Sequence, residues 1–491
     1  MDYKNQINEA GDFNLEVCEI VSYHREAETG DLFHQDIRNI LLSFEIKEDI
    51  FSHYITGRVT VQDTQDVRTM LPITGLERLN VKFNTPGCPG YNAVEEEGHP
   101  FQIYKIESVA RDGSSGRSQA YDIYFCSQEL YYNGIHRVSK AYSGQIELAI
   151  DDLFHNPKFL NSKKRLNYEP TASNDKVVIP NMKPLQAIKW LSSRAKSQKY
   201  KNAGYLFYET SEGYFFRSIE SMMAMNGVSA RPVKFAYTYQ INNVRDAKTG
   251  NKDVNQDMRS IITAPEFHKP VSVLDNLTDG MVANRMIRHD AFNKTVTTTD
   301  YNYFDEFGKY FHTEHDDTDK AQLKGVLPFV RFEDTNTDLS SNPMAKLMCV
   351  TNSSKIHNDY EHPSKSDTLQ VMVSQRAKYM TQRLMLNVHG NTLLHAGELI
   401  QVDMPTIRPL LDNAGETPSP YWHGRYLIVS IRHVVEKSKG GKHSMVLECV
   451  KDAIRTPYPM SQENMTVSKP ESEVNDIYSL DQQMLNQSEV D

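Results

Sequence analysis

Two blocks of strict period-two alternation, far apart in the chain, constrain its fold more than any other feature. In the first, Ile55, Gly57, Val59 and Val61 alternate with Thr56, Arg58, Thr60 and Gln62. Leu79, Val81 and Phe83 alternate in the same way with Arg78, Asn80, Lys82 and Asn84. Successive side chains of a strand point to opposite faces, so this period requires strands with one face buried. Ile40–Ile46, Phe101–Val109 and Gln119–Cys126 are further candidates, with a turn over Arg111–Gly116 between the last two. Five or six strands in about 110 residues imply a small barrel or sandwich. The second block opens with Phe235, Tyr237, Tyr239 and Ile241 and resumes between Leu386 and Ala453, with runs at Leu399–Met404, Arg425–Glu436 and Ser444–Val450. Lys439-Gly440-Gly441-Lys442 reads as the hairpin turn between the last two. The expected fold is α+β and mainly β, with two small antiparallel β-barrels and two mixed α+β insert domains.

Between and after the blocks the texture changes. Ile146–His155 has helical spacing, and Pro184 opens an amphipathic helix whose apolar face runs Leu185, Ile188, Leu191 and Ala195. Tyr205–Tyr208 and Tyr214–Ile219 flank Ser211-Glu212-Gly213 as a hairpin. Ser366-Asp367-Thr368 predicts a helix start, continued by Leu369, Met372, Val373, Met380 and Leu384. The partition expected is a first barrel over 12–128, an α+β domain over 129–230, a second barrel from 231–247 with 385–455, an insert over 248–384 and a flexible acidic tail over 456–491.

Charge and motifs narrow the function. With 54 Lys and Arg against 64 Asp and Glu, the net charge is −10, a poor basis for gripping nucleic-acid phosphates, so no specific nucleic-acid binding is expected. No run of about 18 apolar residues offers a membrane helix, and Met1–Phe13 lacks the basic start and apolar core of a secretory signal. The five cysteines are scattered without a C-x-x-C, as expected of a reducing compartment with no disulfide or zinc framework. Phosphate loops, a dinucleotide fingerprint and a nucleophile elbow are absent. His312, Glu314, His315, Asp316, Asp317 and Asp319 form a metal-like cluster, but no apolar periodicity holds them in place, and the stretch reads as a solvated acidic loop. Converging carboxylates of a glycosidase leave no sequence signature among 64 acids. Trp190 is expected to pack in the core. Tyr131, Tyr132, Tyr421 and Trp422 are candidate interface anchors, because aromatics are enriched there, and tyrosines closing a barrel end are the competing reading.

Several segments carry a family resemblance. Leu42–Ile46, Tyr54–Asp63, Leu71–Glu77 and Val81–Pro86 together resemble the opening tube domain of the central baseplate hub proteins of contractile-tailed bacteriophages. Tyr121–Ser127 followed by Arg137–Tyr142 resembles the next hub segment, and Gly204–Thr210 with Gly213–Ile219 is similar to the hub hairpin. Gly424–Val429 with His433 is similar to closing strands that hubs share with contractile secretion spike proteins. The resemblance implies two tube-type barrels per chain and a homotrimer that adapts a six-fold tail tube to a three-fold central spike, leaving a channel for DNA. It implies as partners the spike protein, the tube or tube-initiator protein, the tape measure protein and other baseplate proteins. It also implies no enzyme activity, no cofactor, no metal and no membrane, and a place in the virion tail baseplate after synthesis in the host cytoplasm. The alternatives are the spike-base module of a contractile secretion machine and a cell-wall glycosidase.

Overall fold

The structure, a computed structural model, describes residues 6–25, 30–71, 73–95, 99–111, 118–172, 174–224, 233–239, 254–268, 272–290, 294–314, 327–328, 343, 346–351, 365–379, 382–405, 418–419, 421–437 and 441–454. The turn over 112–117, His315–Asp319 and the tail over 456–491 lie outside them.

The first block supplies β1 (Asn14–Arg25), β2 (Leu32–Asp36), β3 (Leu41–Asp49), β4 (Thr56–Asp63), β5 (Arg78–Asn84), β6 (Tyr91–Ala93), β7 (Phe101–Arg111) and β8 (Gln119–Ser127). They pair antiparallel in the order β3-β4-β8-β7-β5-β1-β2, with β6 beside β5. The alternation is obeyed: Val59 and Val61 are buried, while Gln62 is exposed. The sheet is strongly curled. Phe44 on β3 and Phe83 on β5 are four strands apart along the sheet, about 19 Å if it were flat, yet their ring centroids are 5.4 Å apart. A core of Ile20, Phe44, Val59, Phe83, Ile103 and Phe125 fills the curl.

Gly57 is dictated by that core. A Cβ there would lie 2.1 Å from Cζ of Phe125 and 2.4 Å from the Glu45 carbonyl oxygen. Phe125 stacks on Phe44 at 5.7 Å, so the ring has no room to retreat. Gly57→Ala is expected to cost about 1–3 kcal/mol through overpacking, read as a lowered denaturation midpoint. An unchanged midpoint would show that the ring can move aside.

The mixed unit follows, with helices Gln128–Ile135, Ile146–His155 and Pro184–Ser192 and strands β9 (Val138–Gln145), β10 (Leu166–Tyr168), β11 (Asn174–Met182), β12 (Tyr205–Thr210) and β13 (Gly213–Ser218). Pro184 takes the first helical turn as expected, and Leu185, Ile188 and Leu191 are buried. β12 and β13 form the expected hairpin, with β10 parallel to β13, while β9 and β11 make a separate ribbon. Trp190 is partly buried against this core, with the Arg194 guanidinium 4.2 Å from its ring centroid.

Next come β14 (Phe235–Thr238) and β15 (Glu266–His268), then an insert with β16 (Ala283–Asp290), β17 (Thr295–Asn302), β18 (Leu327–Pro328), β19 (Leu347–Thr351) and the helix Lys365–Lys378. The chain returns through β20 (Arg383–His389), β21 (Leu399–Asp403), β22 (Gly424–Glu436), β23 (Lys442–Val450) and β24 (Ala453–Ile454). The helix stops at Lys378, and Leu384, expected on it, is buried in β20. Apolar spacing alone does not reveal that helix end.

The molecule is mainly β, but the expectation of two separate antiparallel barrels needs correction. β22 is 13 residues long, about 43 Å of extended chain. Its first half pairs with β21, its second half with β3, and β23 runs along its other edge. Both blocks therefore belong to one 14-stranded sheet, and among the described residues no sheet closes into a barrel. β14 also runs parallel to β21, where antiparallel pairing was expected. The blocks nevertheless keep separate cores. The second is built from Tyr237, Leu384, Leu386, Val402, Ile428 and Leu447. Its sheet also curls, until Ser260–Ile262 bridges its two ends: Ile261 N donates to Thr238 O of β14 and Ile262 N to Asn387 O of β20.

Candidate functional site

The chemistry-bearing side chains gather where the units meet, in buried polar junctions. The first is held by a residue that strand parity points inward. On β3 the buried positions Phe44 and Ile46 share a face with Glu48, which is fully buried. Its Oε1 accepts from the Tyr91 hydroxyl at 2.5 Å and the Ser211 amide at 2.8 Å, and its Oε2 accepts from the Ala396 amide at 3.0 Å. One carboxylate thus joins the first block, the tip of the β12–β13 hairpin and the second block. The nearby His395 is largely desolvated, which works against its charge, but Glu48 outweighs this and raises its pKa.

The second junction centres on Lys164. Its ammonium lies 3.0 Å from Glu129 Oε2 and 2.6 Å from Glu209 Oε1, and all three residues are buried. Ser162 donates to Glu129, while Ser127 and the Ile55 amide donate to Glu209. The mixed unit is thereby locked to β8 and to the start of β4. Burial disfavours the Lys164 charge, yet the two carboxylates outweigh it and raise its pKa. Burial and the like charge of Glu129 leave Glu209 raised. Two carboxyls close together invite comparison with a glycosidase pair, but Lys164 occupies the space between them, where a glycosidic oxygen would have to sit.

The third junction corrects the reading of the metal-like run. Far from lying in a solvated loop, His312, Thr313 and Glu314 are buried. His312 Nδ1 is 2.8 Å from Asp452 Oδ2, Lys378 Nζ is 2.9 Å from the same oxygen, and the Thr313 amide and hydroxyl both donate to Oδ1. Burial would raise the Asp452 pKa, but Lys378 and His312 hold it well below the usual carboxylate range. Glu314 pairs with Lys451 at 2.9 Å and accepts from the Arg425 amide. Among the described residues no three His, Cys, Asp or Glu side chains are grouped as a metal would need.

The fourth is a seam between the blocks. His433 Nδ1 and His443 Nε2 are 3.0 Å apart, and the rings meet Phe83 and Tyr91 edge-on. Burial pulls both pKa values down, His443 to about 3, so the pair is neutral in the fold. His53, His312 and His389 are lowered by burial as well, and among the described residues only His395 is shifted the other way. On unfolding these histidines regain an ordinary value near 6.5. Below that pH the unfolded chain binds protons that the folded chain does not, and stability falls by roughly 1 kcal/mol per pH unit for each such histidine. The urea midpoint is therefore expected to drop steeply from pH 6.5 to pH 4.5. A flat or rising profile would contradict neutral burial of the pair.

The four aromatic candidates are divided between two units. Tyr131 is 40% exposed on the helix Gln128–Ile135, and Tyr132 is half-buried with its hydroxyl 3.3 Å from Gln128 Nε2. Tyr421 and Trp422 are half-buried before β22; the Trp422 ring centroid is 3.9 Å from that of Phe267, and its carbonyl accepts from Tyr426. Sequence reasoning missed Glu48, Lys164, Glu209 and Asp452. For one of them a signal existed: Glu48 continues the inward set Phe44, Ile46, whereas β12, which carries Glu209, is buried on both faces and offers no alternation. A carboxylate in an inward position must be bonded, so it marks a junction.

No protein-family model matches the chain, and no curated protein matches it in sequence. Among solved structures it is similar to a tail protein from Neisseria meningitidis MC58, at 10% identity and a TM-score of 0.48 over 89% of this chain and 96% of that one. It is also similar to the 43 kDa tail protein of prophage MuSo2 from Shewanella oneidensis, at 10% identity and a TM-score of 0.47 over 88% and 98% of the two chains. A third is the c3393 protein of E. coli, a component of the type VI secretion system, at 8% identity and a TM-score of 0.42 over 91% and 78%.

Proposed function

We propose that this protein is the central baseplate hub of a contractile phage tail, a homotrimer joining a six-fold tail tube to a three-fold spike. The observation that carries the reading is that one chain holds two curled β-blocks, each with its own core, joined through the shared strand β22. Three such chains present six blocks toward the tube while the chain itself repeats only three times toward the spike. A heterologous contact between chains that closes by rotation makes such a ring. The role calls for blocks that do not shift against one another, and the buried junctions at Glu48, Lys164 and Asp452 supply that rigidity. It calls for no reaction, and the chain is proposed to be a structural protein with the spike and tube proteins as partners. With a net charge of −10 per chain, a central channel would pass DNA without a general excess of Lys and Arg to hold it.

Sedimentation or light scattering of the purified chain tests the reading. A mass three times that of the chain, with a ring in electron-microscopic averages, is the expected result. A monomer or dimer at concentrations where the ring should form would defeat the proposal.

A further inference from the structure

A cavity of about 470 Å³ opens where three units meet: the β3–β4 connection, the mixed unit and the insert. One side is apolar, lined by Ile50, Phe51, Leu206, Phe207 and Val373. The other carries Lys189, Lys346 and Arg376. None of these three has a carboxylate partner among the described residues, and the exposed Asp279 is the only acid in the lining, which leaves the wall with a formal charge of +2 from three cations and one anion. The Arg376 guanidinium is half-buried, and its Nε is buried without a hydrogen-bond partner. Burial pulls its pKa down, and no carboxylate among the described residues holds it up. His53 faces the same space. Its Nδ1 is 2.7 Å from the Phe207 carbonyl oxygen, to which it donates, and its pKa is lowered by burial and further by Lys189 and Arg376, so both cations act on one ring.

Lys189 is exposed at the rim, but the half-buried Lys346 and Arg376, without a carboxylate partner among the described residues, make an empty half-apolar cavity unfavourable. A half-buried guanidinium whose Nε–H has no partner among the described residues is matched by a planar carboxylate or a phosphate, which accept from it in pairs. The volume is that of small-molecule sites. We propose that this cavity binds a small organic anion, an apolar body with one carboxylate or phosphate head. The head pairs with Arg376, Lys189 and Lys346 lie over it, and the body rests on Phe51, Leu206 and Val373. A bare inorganic ion would leave the apolar side wet, and a cationic amphiphile would meet three like charges.

The test is calorimetric titration of the full chain with octanoate and with octyl phosphate, using octyltrimethylammonium and inorganic phosphate as controls. Saturable one-to-one binding of octanoate, of octyl phosphate or of both is expected, and their relative affinity identifies the head group. Arg376→Gln is expected to weaken binding about tenfold or more, and the rim substitution Lys189→Gln to weaken it less. Arg376→Gln should also raise the melting temperature of the ligand-free chain, since it removes an unpaired charge, whereas a merely structural arginine would lower it when lost. The assignment fails if neither anion binds at millimolar concentration, if the ammonium amphiphile binds as well, or if both variants bind like the parent.

Discussion

Replacing Glu48 with alanine is expected to be the most damaging single change in the described fold. Three donors from three units converge on its carboxylate, the Tyr91 hydroxyl and the amides of Ser211 and Ala396. Alanine leaves all three without an acceptor, two of them buried and the Ser211 amide partly so, and opens a void. Each stranded donor costs about 1–3 kcal/mol, so a total of roughly 4 kcal/mol or more is expected, in the range reserved for broken buried networks. Glutamine rescues only in part: its oxygen can still accept from Tyr91 and Ser211, but its amide nitrogen then faces the Ala396 N–H, donor against donor. Thermal denaturation should show the loss, and hydrogen exchange should show where it falls. Faster exchange at Ser211 and Ala396 together is the signature of a broken junction. A variant that melts like the parent with both amides still protected would show that water replaces the carboxylate.

Lys164→Met is expected to come next. It keeps much of the side-chain volume but removes the cation between Glu129 and Glu209, leaving two buried carboxylates facing each other. Breaking a buried pair from one side costs about 3–5 kcal/mol. The loss has a pH signature with a definite sign. In the parent, Lys164 holds Glu129 below its ordinary value against the effect of burial, so that carboxylate favours folding at neutral pH and loses its contribution as pH falls. In the variant both carboxyls must be protonated to remain buried. Their folded-state values then exceed the unfolded value near 4.3, and the variant regains stability as pH falls toward that value. A deficit against the parent that shrinks from pH 8 to pH 5 is therefore expected. A deficit constant across that range would place the cost in packing instead of charge. The triple substitution Glu129→Gln, Lys164→Met, Glu209→Gln should recover part of the loss at neutral pH.

These two sites also show how far the residues could be read in order. Glu48 stands in an inward position of a run whose period is plain in the chain, so that it is buried follows from parity, whereas β12 is buried at every position and gives Glu209 no such signal. What binds Glu48 does not follow from parity. The partners of Glu48 lie 43, 163 and 348 residues away, and no local pattern names them. The run from His312 to Glu314 went further astray. It has no periodicity because it forms neither strand nor helix, and it is buried only because Asp452 and Lys451 arrive far later in the chain to meet it. Trp422, read as a candidate interface anchor, is half-taken by Phe267, a neighbour that spacing does not reveal.

Alternation is a property of the backbone, in which successive side chains point to opposite faces. The chain alone therefore determined where its principal strands run, which of their side chains turn inward, and that they fall into two blocks. Pairing between distant strands is decided by which edges meet, and that depends on every loop between them. Only the tertiary structure could decide that β22 outruns its own block, takes β3 as a neighbour and makes one sheet of two. The same holds for the buried charges, because a carboxylate is tolerated in the interior only where distant donors gather around it.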